Sequence, residues 1–239
     1  MELQSVKAAV PHHCQGCQVR HHGICAVLNA AELLQLSDHS RHTFHEAGDA
    51  LTMESDEVTG YANVVEGVIK LSRVLRDGRQ QLVGLQFSSD LLGRLFASES
   101  PITAEAASSV ELCRMPRAVL ENLVANSPEL KQRLLDQALL DLDQAREWMV
   151  TLGRKTASER VASLLLLIAA RSIGRETALA GRVTFDLPLV RADMADFLGL
   201  TIETVSRQIS KLRNEEIIEI TGHRHVVVPD IERLKRRAG

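Results

Sequence analysis

The spacing of the apolar residues changes once along this 239-residue chain, near Pro116. Between about His42 and Arg114, short β-type runs alternate with glycine-containing turns. The clearest pair is 64–75 and 80–87, separated by Asp77-Gly78, a strong hairpin signal. Gly48, Gly60, Gly67 and Gly84 mark further turns or bulges. This block predicts a β-barrel or β-roll. Beyond Pro116 the period is helical. Leu135, Ala138, Leu142, Ala145, Met149 and Leu152 recur at steps of three and four, a heptad-like seam on one long helix that Leu139 and Trp148 widen. Such a seam fits a helix packed on its own barrel or on its twin, and the spacing favours the twin in a homodimer. Gly153 then interrupts the pattern. Thr156 and Glu159 follow as a capping box, opening a helix through the apolar stretch 161–170. A hinge is expected at 153–155, and a glycine-bounded loop from Gly174 to Gly181.

The last segment carries the most readable motif. Residues 191–198 suit a short helix, Gly199 breaks it, and Thr201 can cap a second helix over 202–214. Helix, glycine-containing turn, helix is the helix-turn-helix pattern. Val205, Ile209 and Leu212 are spaced to face inward, leaving Glu203, Ser206 and Arg207 outward near the N-terminal end, which reaches base edges in the major groove. Arg207 can make a bidentate contact to guanine, and Glu203 can accept from cytosine. Lys211 and Arg213 lie further along, where phosphate contacts are expected. Apolar runs at 218–220 and 226–228 flank Gly222, a small hairpin that would serve as the wing of a winged helix.

Charge agrees with this division. The net charge of −3 conceals 15 Lys and Arg against 11 Asp and Glu from Arg154 onward, and 13 against 20 before it. A basic rear points to a polyanionic partner, double-stranded DNA, for that part alone. With 45% hydrophobic and 25% charged residues the chain reads as globular. No apolar run is long enough to span a bilayer, and residues 1–11 lack the order of a secretory signal. A cytoplasmic protein without membrane contact is expected, its cysteines free of structural disulfides. No nucleophile–base pair, P-loop or dinucleotide loop is visible, and the cysteine spacing is not that of radical enzymes, so an enzyme is not expected.

The four cysteines are Cys14, Cys17, Cys25 and the distant Cys113. Three close thiols and one remote thiol can complete a four-ligand site, which suits a [4Fe–4S] cluster or tetrahedral zinc. His12, His13, His21 and His22 keep a zinc site of three cysteines and one histidine open. Free thiols, with Cys113 a small apolar strand residue, are the third reading.

The order of a cysteine-rich N-terminus, β-roll, long helix and winged helix resembles the CRP/FNR family of regulators over nearly the whole chain, and most closely its oxygen-responsive FNR branch. Leu200-Thr201-Ile202-Glu203-Thr204-Val205-Ser206-Arg207 resembles that family's recognition helix, with its Glu-x-x-Ser-Arg signature on Glu203, Ser206 and Arg207. The seven residues between Cys17 and Cys25 resemble the alphaproteobacterial members and exceed the shorter gap of enterobacterial ones. The resemblance implies an α+β architecture: a cysteine-rich cluster-binding segment over 1–30, a cyclic-nucleotide-binding-like β-roll sensor domain over 31–133, a dimerisation helix over 134–153 and a winged helix-turn-helix DNA-binding domain over 154–239. It also implies a [4Fe–4S] cluster on the four cysteines, a palindromic site TTGAT…ATCAA and contact with RNA polymerase, for which exposed loops such as 76–81 are candidates. Cyclic-nucleotide-binding relatives hold the phosphate with an arginine. The matching stretch here, 89–104, lacks one at that position, with Arg94 only nearby in sequence, so no cyclic nucleotide is expected. A zinc- or small-ligand-dependent regulator of the same fold is the alternative.

Overall fold

The computed structural model describes residues 10–172, 180–222 and 224–239, apart from the side chains of His12, His13 and Gln18. Part of the expected loop from Gly174 lies outside the described residues. Two compact units form, one of residues up to Arg73 with Leu85–Asp141, the other of Val74–Gly84 with Leu142–Gly239.

The first unit opens with a short helix α1 (His12–Gln15) and two 3-10 turns, Gln18–His21 and Ile24–Val27. Helix α2 (Ala30–Ser37) follows, its start fixed by a capping box. Asn29 Oδ1 accepts from the backbone N–H groups of Ala31 and Glu32, and Glu32 accepts from that of Asn29. Eight strands come next in the chain, of which β5 lies mostly in the second unit: β1 (Arg41–His45), β2 (Ala50–Thr52), β3 (Gly60–Glu66), β4 (Ile69–Val74), β5 (Gln80–Gln86), β6 (Leu91–Leu92), β7 (Thr103–Ala106) and β8 (Val110–Pro116). They form two four-stranded sheets, ordered β1-β8-β3-β6 and β2-β7-β4-β5, the expected β-roll. The run 64–75 is two strands rather than one. Gly67 breaks it, with φ at +90° and a backbone so close to Ser109 that a Cβ would meet the carbonyl oxygen at 2.2 Å.

Alternation along β3 and β8 gives their sheet two apolar faces. Ala62, Val64, Val110 and Leu112 enter the roll interior with Ile69 and Ala106. Tyr61 and Met115 face the other way, into a core with Ile24, Leu36 and Leu120. Cys113 alternates with Leu112, so it belongs to this second face, the one covered by the N-terminal segment and helix α3 (Arg117–Asn126). Helix α4 (Pro128–Arg154) is longer than the seam implied. Pro128 suits its first turn, and the helix runs straight through Gly153, so the chain breaks at Lys155–Thr156 instead.

The second unit contains α5 (Ala157–Ser172), β9 (Val183–Asp186), α6 (Arg191–Leu198), α7 (Ile202–Asn214), β10 (Glu219–Thr221), β11 (His225–Val228) and α8 (Ile231–Ala238). The capping box before α5 is present, with the Thr156 backbone N–H donating to Glu159 at 2.7 Å and the Glu159 N–H to Thr156 Oγ1 at 3.4 Å. The wing hairpin gains β9 as a third strand, in the order β10-β11-β9. Val161, Leu165 and Ile168 of α5 are fully buried, as are Ile231 and Leu234 of α8. Among the described residues no helix is long and apolar enough to cross a membrane.

Candidate functional site

Helices α6 and α7 make the helix-turn-helix at the expected bounds. Gly199 stands between them with φ at +60°, the left-handed conformation that ends α6. Thr201 Oγ1 accepts the Thr204 backbone N–H at 3.2 Å and so caps α7. Val205, Ile209 and Leu212 are buried. The opposite face carries the anticipated polar set. Glu203, Arg207, Lys211 and Arg213 are exposed and Ser206 is half-buried. A hydrogen bond from its own backbone N–H, and another from Thr201, hold the Glu203 carboxyl below the usual carboxylate range. It is therefore an ionised acceptor at the N-terminal end of the helix. Arg207 reaches back to Thr204 Oγ1 at 3.4 Å, and Lys211 lies 4.0 Å from Glu215.

The turn is braced from two sides. Arg160 donates from Nε to the Lys155 carbonyl at 2.9 Å and from Nη1 to the Leu198 carbonyl at 3.1 Å. Trp148, near the end of α4, meets Phe197 edge to face with ring centroids 4.7 Å apart. Arg191, at the start of α6, was not singled out from the sequence. Burial, and then the nearby charge of Arg213, pull its guanidinium below its ordinary value. Arg191 also donates from Nη1 to Met194 Sδ at 3.3 Å.

The expected dimer seam lies along α4. Leu135, Ala138, Leu142, Ala145 and Met149 are exposed and Leu152 is half-buried.

All four cysteines are free thiols of intermediate burial. Cys14 sits in α1, Cys17 just after it, Cys25 in the turn Ile24–Val27 and Cys113 in β8. Burial, then the charges of Cys113, Cys14 and Cys17, push Cys25 up to about 12. Burial likewise pushes Cys113 up to about 11, and Cys14 and Cys17 add to the rise. Cys14 is raised by burial and by Cys17. The remote thiol thus senses the N-terminal ones. Among the described residues, however, no group of three or more His, Cys, Asp or Glu side chains stands ready to hold a metal ion. Beside Cys113 lie two residues that the sequence did not flag, because only strand register reveals them. His42 pairs with Cys113 across β1 and Asn63 pairs with it across β3. His42 Nδ1 is 2.5 Å from Glu111 Oε1. Asn63, 2% exposed, donates from Nδ2 to Cys25 Sγ at 3.5 Å.

The Crp-like helix-turn-helix domain family matches residues 159–237, and the cyclic nucleotide-binding domain family matches 42–127. A probable transcriptional activator of Rhizobium leguminosarum bv. viciae is 49% identical over 96% of this chain and 95% of its own length. The transcriptional activator protein FnrL of Cereibacter sphaeroides is 41% identical over 95% and 92%. The chain belongs to the CRP/FNR family of transcription regulators. The solved structure of FixK2 from Bradyrhizobium japonicum superposes with a TM-score of 0.74 at 30% identity, covering 84% of this chain and 98% of that one. This CRP/FNR member is a regulator of the FNR/FixK type with a DNA-binding helix-turn-helix, and its relatives are regulators rather than enzymes.

In this family member the β-roll also holds a cavity of about 570 Å³. Leu51, Ala62, Leu92 and Ala104 line it together with Arg41, Arg94 and Arg114. Arg41 and Arg114 are direct cross-strand partners. Burial, then the charge of Arg41, pull Arg114 below its ordinary value. Sequence reasoning considered Arg94 alone; the other two come to the cavity through β1–β8 pairing.

Proposed function

We propose that this protein is an oxygen-responsive activator that binds a [4Fe–4S] cluster through Cys14, Cys17, Cys25 and Cys113. With the cluster intact it pairs along α4 through Leu135, Ala138, Leu142, Ala145, Met149 and Leu152. The dimer then reads a TTGAT…ATCAA palindrome through Glu203, Ser206 and Arg207, with Thr201, Lys211 and Arg213 in support. RNA polymerase is the downstream partner, the cytoplasm the place of action, and no cyclic nucleotide is needed. The observation that supports this reading is geometric: buried Asn63 is the register partner of the strand thiol Cys113 and donates to Cys25 Sγ at 3.5 Å, so a remote and an N-terminal thiol flank one amide. The donor set fits the group in its chemistry, four free cysteine sulfurs suited to thiolate-held iron, although among the described residues they are not gathered around a single ion. When bound, such a cluster supplies a redox centre that dioxygen attacks. The chain's own part is to present the thiols and to tie the first segment to the roll.

The test is purification without air. The expected result is brown protein with about four irons and four sulfides per chain, bleaching in air. Each of Cys14→Ser, Cys17→Ser, Cys25→Ser and Cys113→Ser should abolish colour and anaerobic DNA binding together. A variant that keeps full iron removes its residue from the ligand set, and a histidine such as His22 takes its place.

A second reading is a regulator of this fold that answers to zinc or a small ligand. The three arginines of the β-roll cavity favour its small-anion form. Colourless protein whose Tm rises with cyclic AMP, and whose DNA affinity follows, would replace the cluster reading with this one.

A further inference from the structure

Asn63 is an anomaly of its strand. Its neighbours on β3 are Ala62 and Val64, and asparagine is poorly suited to a strand interior. It is also 2% exposed, so its amide has no solvent to turn to. Nδ2 is engaged with Cys25 Sγ at 3.5 Å, while Oδ1 is buried without a hydrogen-bond partner among the described residues. A buried carbonyl without a partner is costly, and native proteins rarely keep one without a reason. The position is equally specific. Asn63 is the register partner of Cys113, so the two side chains rise from one face of the sheet, and Cys25 meets Asn63 from the opposing turn. One amide therefore lies beside two of the four thiols that come from distant parts of the chain.

We propose that Asn63 is a positioning residue for the thiol site, donating an N–H···S hydrogen bond to the Cys25 sulfur and thereby slowing the attack of dioxygen. This rests on the cluster reading above. A hydrogen bond donated to a ligating sulfur draws electron density from it, and such bonds are among the protein's means of setting the potential of an iron–sulfur site. Oxidation of a bound cluster would move one electron from it to dioxygen, which would become superoxide. A centre with less electron density gives that electron up less readily. Asn63 acts through the sulfur and needs no contact with dioxygen.

The experiment uses the full-length chain, purified without air, as wild type, Asn63→Leu and Asn63→Gln. Leucine keeps the volume and removes the donor; glutamine keeps an amide. Iron and sulfide are assayed first. The decay of visible absorbance is then followed after rapid mixing with air-saturated buffer, and the midpoint potential is measured by anaerobic titration. Asn63→Leu should carry the wild-type iron and sulfide, bleach about tenfold faster, the low end of the roughly 10–100-fold that losing an outer-shell partner costs a metal site in affinity or activity, and show a lower potential. Asn63→Gln should recover part of both changes. Should leucine prevent loading, Asn63→Ala, which cannot overpack, is read in the same way. Loaded Leu or Ala protein with wild-type decay and potential overturns the role of Asn63 while leaving the cluster reading intact. Wild-type protein without iron and sulfide overturns both.

Discussion

On helix α7 the division of labour is set by what each side chain is already bound to. Arg207 is exposed and, among the described residues, makes a long contact to Thr204 Oγ1, so its guanidinium can take a bidentate partner. Arg207→Ala should cost about 1–3 kcal/mol on the specific site and relax the preference at one guanine. Lys211 is a point charge further along the helix, loosely paired with Glu215 at 4.0 Å. Its removal should weaken binding to all sequences and flatten the salt dependence by about one unit of slope. Titration of both variants against the palindrome and against random DNA, at several salt concentrations, separates the roles. Equal losses on both DNAs for Arg207→Ala would take it out of the base-reading set.

At the scale of elements, the helix-turn-helix was legible because its signals are local: a left-handed Gly199, a Thr201 cap and three inward residues, all within one short stretch. The β-roll was legible as a class through its turns, although Gly67 hid a strand boundary inside what read as one run. Strand β9 escaped because its partner β11 lies about forty residues on, and Asn63, His42 and Arg114 reach their places only through long-range register. Helix α3 falls within the helical period beyond Pro116, but its boundary with α4 is marked only by the short start signal Ser127-Pro128-Glu129. The brace on α6 escaped for the same reason as the strand partners. Trp148 meets Phe197 edge to face, and Arg160 ties the Leu198 carbonyl to that of Lys155. An aromatic pair of this kind contributes about 0.5–1.5 kcal/mol beyond the area it buries. Trp148→Ala should therefore lower the urea midpoint and also the affinity for the palindrome, with Trp148→Phe restoring most of both. Trp148 is the sole tryptophan of the chain, so in wild-type protein its emission should shift when DNA is added. A constant spectrum at saturating DNA would show that the brace does not move with binding.

For the whole molecule, the decisive feature is a long apolar face left exposed among the described residues. Leu135 is 54% exposed, Leu142 45% and Met149 74%. Covering such residues is worth about 25 cal/mol per Å² of apolar surface, yet Ala138 and Ala145 stand at two registers of the seam and leave little to cover there. The resulting interface is marginal, and a marginal interface can be tipped by the 1–3 kcal/mol typical of coupling between distant sites. On the reading proposed above, the cluster provides that coupling, because it ties residues before α2 to β8 and the seam follows in the same chain. Pairing would place two recognition helices one DNA turn apart, as a symmetric site requires. Anaerobic protein should therefore sediment as a dimer, and the same sample after air should shift towards monomer as specific binding is lost. Ala138→Leu adds apolar surface at a thin register and should hold the dimer together in air, unless overpacking cancels the gain. Dimer that persists in air while DNA affinity still falls would exclude dissociation as the switch. The change would then have to act beyond α4, by reorienting the DNA-binding domains about the break at Lys155–Thr156, where Arg160 holds the carbonyls of Lys155 and Leu198 together.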